Sequence, residues 1–236
     1  IVEMIEPIWL SKHDTARKVL GRVSRIFDSA VAEGLRGNNP ASSVKAALPA
    51  PRSVKKGQRK SLPYSALGEF LKVLAGSQAN RSTKLALQML ILTATRSSEI
   101  RKAEWSEIDL DQLVWTIPAE RMKMRKEHRQ PLTEPILTML HDLKRLTGNQ
   151  KYALGVADKP ISENAMLLAV KRFDDITIHG FRATCGTWCE ENGVDQQVSK
   201  FIKAHQPKYL DAAYQRSDLL EQRREALQRW ADYVTR

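Results

Sequence analysis

Four residue types recur along this chain in an order that suits chemistry on a phosphodiester. His179-Gly180-Phe181-Arg182 is followed by His205 and then by Tyr214. A tyrosine hydroxyl downstream of clustered Arg and His can attack phosphorus without a metal ion. The cations would draw the phenol toward phenolate and hold the charge of the pentavalent transition state. Unassisted, a phenol with a pKa near 10 is a poor nucleophile at neutral pH. His179 and Arg182 are three apart and share a face at a helix start. A guanidinium matches two phosphate oxygens, and an imidazole moves protons near neutral pH. Upstream, Arg96 within Thr93-Ala94-Thr95-Arg96-Ser97-Ser98-Glu99 and Lys123 supply two further basic groups. Taken singly, each residue also fits a plainer role: a packing tyrosine, a surface His-Arg pair, a solvated lysine among Arg121, Arg125 and Lys126.

Composition suits this chemistry. The 236 residues carry 38 Lys and Arg against 27 Asp and Glu, for a net charge of +11 and a pI near 9.7. Such a balance points to a polyanionic partner, most often nucleic acid. The excess is concentrated in residues 1–61. Hydrophobic residues make up 42%, enough for a real core. No apolar run reaches membrane-spanning length, and no signal peptide is visible, so a cytoplasmic, DNA-associated protein is expected. The chain begins Ile1-Val2-Glu3-Met4 and reads as a piece of a longer protein. Cys185 and Cys189 are too few for a disulfide framework. Four apart, with His179 and His205 nearby in sequence, they lack zinc-site spacing and read better as buried small residues.

The elements that must position these residues follow from periodicity. Ala16, Leu20, Val23, Phe27 and Ala30 predict a helix over 12–33, opened by a Ser11–Asp14 capping pair and stopped by Gly34. Lys18, Arg22 and Arg25 form a basic stripe on it, either a solvated face or a phosphate-tracking one. Residues 48–61, LPAPRSVKKGQRKS, read as a basic linker in which Lys55, Lys56, Arg59 and Lys60 are candidate DNA contacts. Domain bounds of 1–48, 49–61 and 62–236 follow. Beyond the linker, helices are expected at 64–75 and 83–93. Three short strands are expected at 108–110, 113–117 and 128–132, the last two joined by a basic turn at 120–127 whose Arg121 and Arg125 are further candidate DNA contacts. The rest is helical: 133–146, 162–173, 180–192, 195–204, a short piece around Tyr214, and 219–234 capped by Asp218 and Glu221.

The joint pattern resembles the tyrosine recombinases, and within them the integrases of satellite phages and genomic islands. The resemblance rests on Thr93–Glu99, on Trp115-Thr116-Ile117-Pro118-Ala119-Glu120-Arg121-Met122-Lys123, and on His179-Gly180-Phe181-Arg182-Ala183-Thr184. It continues through Ala204-His205 and Ala212-Ala213-Tyr214-Gln215-Arg216-Ser217-Asp218 to the ending around Glu221–Tyr233. Residues 7–40 resemble the later part of a core-binding domain. Lys203 departs from the apolar residue usual at its place.

What the resemblance implies is specific. The fold would be mainly α with a small antiparallel β-sheet, the DNA breaking-rejoining catalytic domain plus a partial helical core-binding domain, together a C-shaped clamp. Tyr214 would attack the scissile phosphate and become joined to its 3′ side. Arg96 and Arg182 would clamp the non-bridging oxygens and His205 would donate a further hydrogen bond. Lys123 would protonate the leaving 5′ oxygen, His179 would assist proton transfer at the tyrosine, and Glu99 would support the Arg96 turn. No metal or other cofactor is implied. Implied partners are duplex DNA carrying attachment sites and further protomers forming a tetramer on paired sites, with an excisionase and a host DNA-bending protein as helpers. The final helix would pack either on a neighbouring protomer or in cis. Alternatives are a non-catalytic DNA-binding remnant, and a type IB topoisomerase or telomere resolvase.

Overall fold

The computed structural model describes residues 1–49, 61–171, 173, 176–205 and 217–236. The chain divides into two compact units, Ile1–Gly57 and Gln58–Arg236. The expected helix around Tyr214 and the linker lysines and arginines lie outside the described residues.

The first unit is helical: α1 Val2–Trp9, α2 His13–Ala32 and a single turn, α3 Val44–Ala47. Its small core joins Ile5 and Trp9 of α1 to Ala16 and Leu20 of α2 and to Ala41, Val44 and Leu48. The Trp9 indole N–H donates to the Pro49 carbonyl at 2.7 Å, which draws the end of the unit back onto its start. Two expectations change here. Helix α1 was not expected, because eight residues containing Pro7 give too little periodicity to read. The Ser11–Asp14 cap does not form: Lys12 stands at the N-cap position, and the Ser11 hydroxyl donates to the Pro7 carbonyl.

The second unit is built round α5 Arg81–Thr93, whose Leu87, Met89, Leu90 and Ile91 are fully enclosed. Asn80 caps it by accepting the Thr83 N–H at 2.7 Å. Around it pack α4 Leu67–Gly76, α6 Ser97–Arg101, α7 Glu134–Thr147, α8 Glu163–Val170 and α9 Gly180–Glu191; α10 Gln196–Ile202 packs on α9 and on α11 Leu220–Val234, which itself packs on α5. The sheet runs β1 Ile108–Asp109, β2 Val114–Ile117, β3 His128–Pro131, all antiparallel, with Ile108 opposite Trp115 and Ile117 opposite His128. The mainly α fold with a small antiparallel sheet is therefore present as expected. Helix α8 ends at Val170, short of the expected Phe173.

Helix α11 settles onto its own unit. Leu227, Trp230 and Val234 are buried in the main core, and the Trp230 indole N–H donates to the Ile91 carbonyl at 2.9 Å. The packing is in cis. The Asp218–Glu221 cap is replaced by another arrangement. Leu219 takes the N-cap position in a left-handed conformation (φ 53), and Asp218 accepts from Arg223 and Arg129 instead.

Candidate active site

Helix α5 ends at Ala94, a left-handed residue that turns the chain into α6. Within that turn the Thr93 hydroxyl donates to the Met89 carbonyl at 2.6 Å and lies 2.7 Å from the Thr95 hydroxyl. Arg96 then stands at the N-cap of α6 and Glu99 three residues on. One Glu99 oxygen accepts the Arg96 backbone N–H and the other accepts Arg96 Nη1, both at 2.7 Å. Glu99 is only 1% exposed. Glu99 thus makes the N3 half of a capping box; the arginine at the N-cap has no acceptor to return it, and its guanidinium donates to Glu99 instead.

Arg182 approaches the same turn from the first turn of α9. It is 4% exposed, and its terminal nitrogens donate to two carbonyls: Nη1 to Ala94, Nη2 to Lys203. Burial pushes its pKa down to about 10, and the Arg96 charge acts the same way while Glu99 opposes both. The group stays cationic at neutral pH. The second carbonyl belongs to the end of α10, where the chain turns through left-handed Ala204 into His205. The His205 backbone N–H is held by the Lys200 carbonyl at 2.9 Å. Its imidazole is shifted below the ordinary range, first by desolvation and then by Arg182, Lys203 and Arg96.

Arg96, Arg182 and His205 thus converge, with Glu99 behind them. Their charges do not cancel: two guanidinium ions face one carboxylate, and the imidazole is driven toward its neutral form. Such a site favours an anion with several acceptor oxygens. Lys203 adds a further cation. Its Nζ lies 2.8 Å from where a Cβ on Gly186 would stand, so the side chain lies against α9 where a glycine leaves room.

The other candidates sit elsewhere. Lys123 is exposed in the hairpin between β2 and β3, just beyond buried Met122, and no hydrogen bond or ion pair joins it to Arg96, Arg182 or His205 among the described residues. His179 is exposed at the N-cap of α9, its carbonyl accepting the Arg182 N–H at 3.2 Å. Tyr214 lies outside the described residues, as do Lys55, Lys56, Arg59 and Lys60. Lys18, Arg22 and Arg25 are exposed along α2, with Arg25 Nε donating to the Gly21 carbonyl at 3.3 Å. Arg125 is exposed and left-handed (φ 52). Arg121 differs from these: its guanidinium pairs with Glu107 and donates to the Lys102 carbonyl, so it ties the hairpin to the segment before β1.

Two buried residues that the sequence did not single out lie at the junction of β3 and α11. His128, at the first position of β3, is buried beside Gln130, 3.3 Å from its side-chain oxygen. Desolvation and then Arg223 lower its pKa to about 4. Arg223 of α11 is 1% exposed, donates to the Arg129 carbonyl at 2.6 Å and pairs with Asp218 at 3.2 Å. Neither had a signal beyond its residue type. Cys185 and Cys189 are buried free thiols, and no group of three or more His, Cys, Asp or Glu is placed to hold a metal ion among the described residues.

The family model described as the phage integrase family matches residues 61–218, and that of the phage integrase central domain matches residues 1–47. The chain belongs to the phage integrase family. It is a tyrosine recombinase by descent, as its motifs suggested. It is 32% identical to the integrase of Enterobacteria phage P4, an alignment covering 94% of this chain and 55% of that protein. Prophage integrase IntA of Escherichia coli K12 is 30% identical, over 99% of this chain and 58% of the relative. The chain therefore spans little more than half the length of these relatives. Among solved structures, a lambda integrase dimer bound to a COC′ core site superposes with a TM-score of 0.64 at 19% identity, covering 85% of this chain and 75% of that one. The integrase from mycobacterium phage Brujita gives 0.58 at 18% identity, covering 99% and 83%. At these identities the likeness establishes the fold.

Proposed function

We propose that this integrase-family chain forms the DNA-cleaving part of a site-specific recombinase that breaks and rejoins DNA through a 3′-phosphotyrosine. The observation that carries the reading is the convergence of Arg96, Arg182 and His205 on one turn system. There, two guanidinium ions stand against a single carboxylate.

In the reaction the Tyr214 hydroxyl oxygen forms a bond to phosphorus, the bond to the 5′ oxygen breaks, and the phenolic proton leaves with the help of His179. Lys123 returns a proton to the leaving 5′ oxygen. Arg96 and Arg182 hold the non-bridging oxygens, and His205 donates to one of them. Because the phosphotyrosyl ester retains the energy of the broken linkage, attack by a second 5′ hydroxyl rejoins the strand without a nucleotide cofactor. Glu99 keeps Arg96 in place. The stripe Lys18, Arg22 and Arg25, the linker residues Lys55, Lys56, Arg59 and Lys60, and Arg125 track phosphates.

The lambda integrase has been captured as a tetramer on a Holliday junction. By analogy we place four copies of the present protein on paired attachment sites, with an excisionase and a host DNA-bending protein as helpers. No described helix is long and apolar enough to cross a membrane, and action on bacterial DNA places the protein in the cytoplasm.

The test is covalent capture. The full-length protein is incubated with a nicked duplex spanning the junction between its own genetic element and the flanking DNA, then run on a denaturing gel. A protein–DNA adduct is expected, absent in Tyr214→Phe. An adduct that survives this substitution overturns the assignment of the nucleophile. Salt-sensitive binding with no adduct points to a DNA-binding remnant. Relaxation of any supercoiled plasmid points to a topoisomerase.

A further inference from the structure

Arg182 joins two turns that are distant in sequence. Nη1 donates to the carbonyl of Ala94 and Nη2 to that of Lys203. Each of these turns contains a left-handed alanine, Ala94 at φ 51 and Ala204 at φ 48. Both are enclosed, at 0% and 6% exposure. A residue with a Cβ is strained in this region by about 1 kcal/mol or more, and such strain persists only where the surroundings enforce it. Two residues after Ala94 stands Arg96, and directly after Ala204 stands His205. The strained positions therefore lie two residues and one residue before the two side chains that the proposed reaction needs beside Arg182.

The donor count gives the arrangement a purpose. A guanidinium has five N–H groups, two on each terminal nitrogen and one on Nε. The carbonyls take one from each terminal nitrogen. One on each remains, and together they match two oxygens of a phosphate. With the carbonyls fixed, the plane of the guanidinium is fixed before any substrate arrives, which is what electrostatic stabilisation of a transition state requires.

We infer that Ala94 and Ala204 are positioning residues: their left-handed turns present the Ala94 and Lys203 carbonyls to Arg182, orient its guanidinium, and set Arg96 and His205 on either side of it. The inference rests on the recombinase reading and deepens it. It also makes a claim about the free protein that does not depend on catalysis.

Amide hydrogen exchange on the DNA-free protein tests that claim. The Arg96 N–H is held by Glu99, the Ala204 N–H by Phe201 and the His205 N–H by Lys200. Arg182→Lys keeps the charge but cannot span both carbonyls. It is expected to speed exchange at Arg96, Ala204 and His205 together by about tenfold, with α5 amides unchanged. Faster exchange at only one turn, or at neither, overturns the inference.

The second arm uses the alanines. Ala94→Val and Ala204→Val put a β-branched side chain in the left-handed region. They are expected to slow adduct formation on the nicked junction duplex by about tenfold or more at unchanged duplex affinity, while the glycine variants stay within about threefold of wild type. Glycine variants as slow as the valine ones, or valine variants as fast as wild type, overturn it. If the valine variants do not fold, the exchange arm and the glycine variants still decide. A wild-type protein that shows the exchange pattern but forms no adduct removes the recombinase reading and leaves the tie between the two turns standing.

Discussion

Glu99 holds Arg96 twice, by its backbone N–H and by its guanidinium, each at 2.7 Å, from a position that is 1% exposed. A single buried carboxylate thus sets both where the arginine enters α6 and where its charge lies.

From this contact a graded loss follows. Glu99→Gln keeps an acceptor for one N–H and loses the ionic partner, which is expected to lower unfolding free energy by about 1–3 kcal/mol. Glu99→Ala leaves both donors unpaired and is expected to cost about 3–5 kcal/mol. Urea unfolding of the three proteins checks the order. Equal losses would mean that the charge on Glu99 is immaterial.

Arg223 and Asp218 form the second pair to test. The arginine is 1% exposed and the aspartate 39%, so the two ends should respond unequally. Arg223→Ala removes the packing of a buried side chain and the donor to the Arg129 carbonyl, a loss of about 3 kcal/mol. Asp218→Asn is expected to cost about 1 kcal/mol or less, because water screens the exposed end. Thermal and urea unfolding compare them directly.

These two pairs show what could be read ahead of the structure. The order Arg96, Arg182, His205 was visible because it is carried by residue type and spacing. Glu99 was named only because the family resemblance implied that it supports the Arg96 turn; its place three residues into α6 came from the structure. Helix α6 was not visible, since five residues give no period. Ala94 and Ala204 were not, because alanine carries no sign of the left-handed conformation that glycine or asparagine would have suggested. Arg223 sits in the run Glu221-Gln222-Arg223-Arg224, which has the composition of a solvated face. Its burial is a consequence of β3 packing against α11, a contact between segments about ninety residues apart.

His128 makes stability depend on pH. Its folded pKa of about 4 lies below the ordinary 6.5, because burial and then the Arg223 charge disfavour the imidazolium, with Arg182 acting the same way and Glu99 and the Gln130 hydrogen bond opposing. Between the two values the unfolded chain binds the proton and the folded one does not. Stability from this group is therefore complete above pH 6.5 and falls with acidification toward pH 4. The loss reaches about 2–3 kcal/mol by pH 4.5. His128→Gln should flatten that part of the profile. Urea midpoints for both proteins between pH 7 and 4.5 measure the difference, and parallel profiles would refute the assignment to His128.

The basic residues separate into two kinds, and salt distinguishes them. Lys18, Arg22 and Arg25 are exposed along one helix, and a residue that neutralises a phosphate releases counterions when DNA binds. Replacing any one by Ala is expected to reduce the slope of log affinity against log salt by about 0.9, with the fold unchanged. Arg121 is already engaged by Glu107 and the Lys102 carbonyl. Arg121→Ala should leave the slope as it is and lower stability instead, by about 1–3 kcal/mol for the charged hydrogen bonds it makes. Fluorescence anisotropy with a labelled duplex from about 50 to 200 mM salt gives the slopes, and urea unfolding gives the stabilities. If Arg121→Ala changes the slope as the α2 variants do, the Glu107 pair must open on DNA, and Arg121 would join the α2 stripe as a phosphate contact.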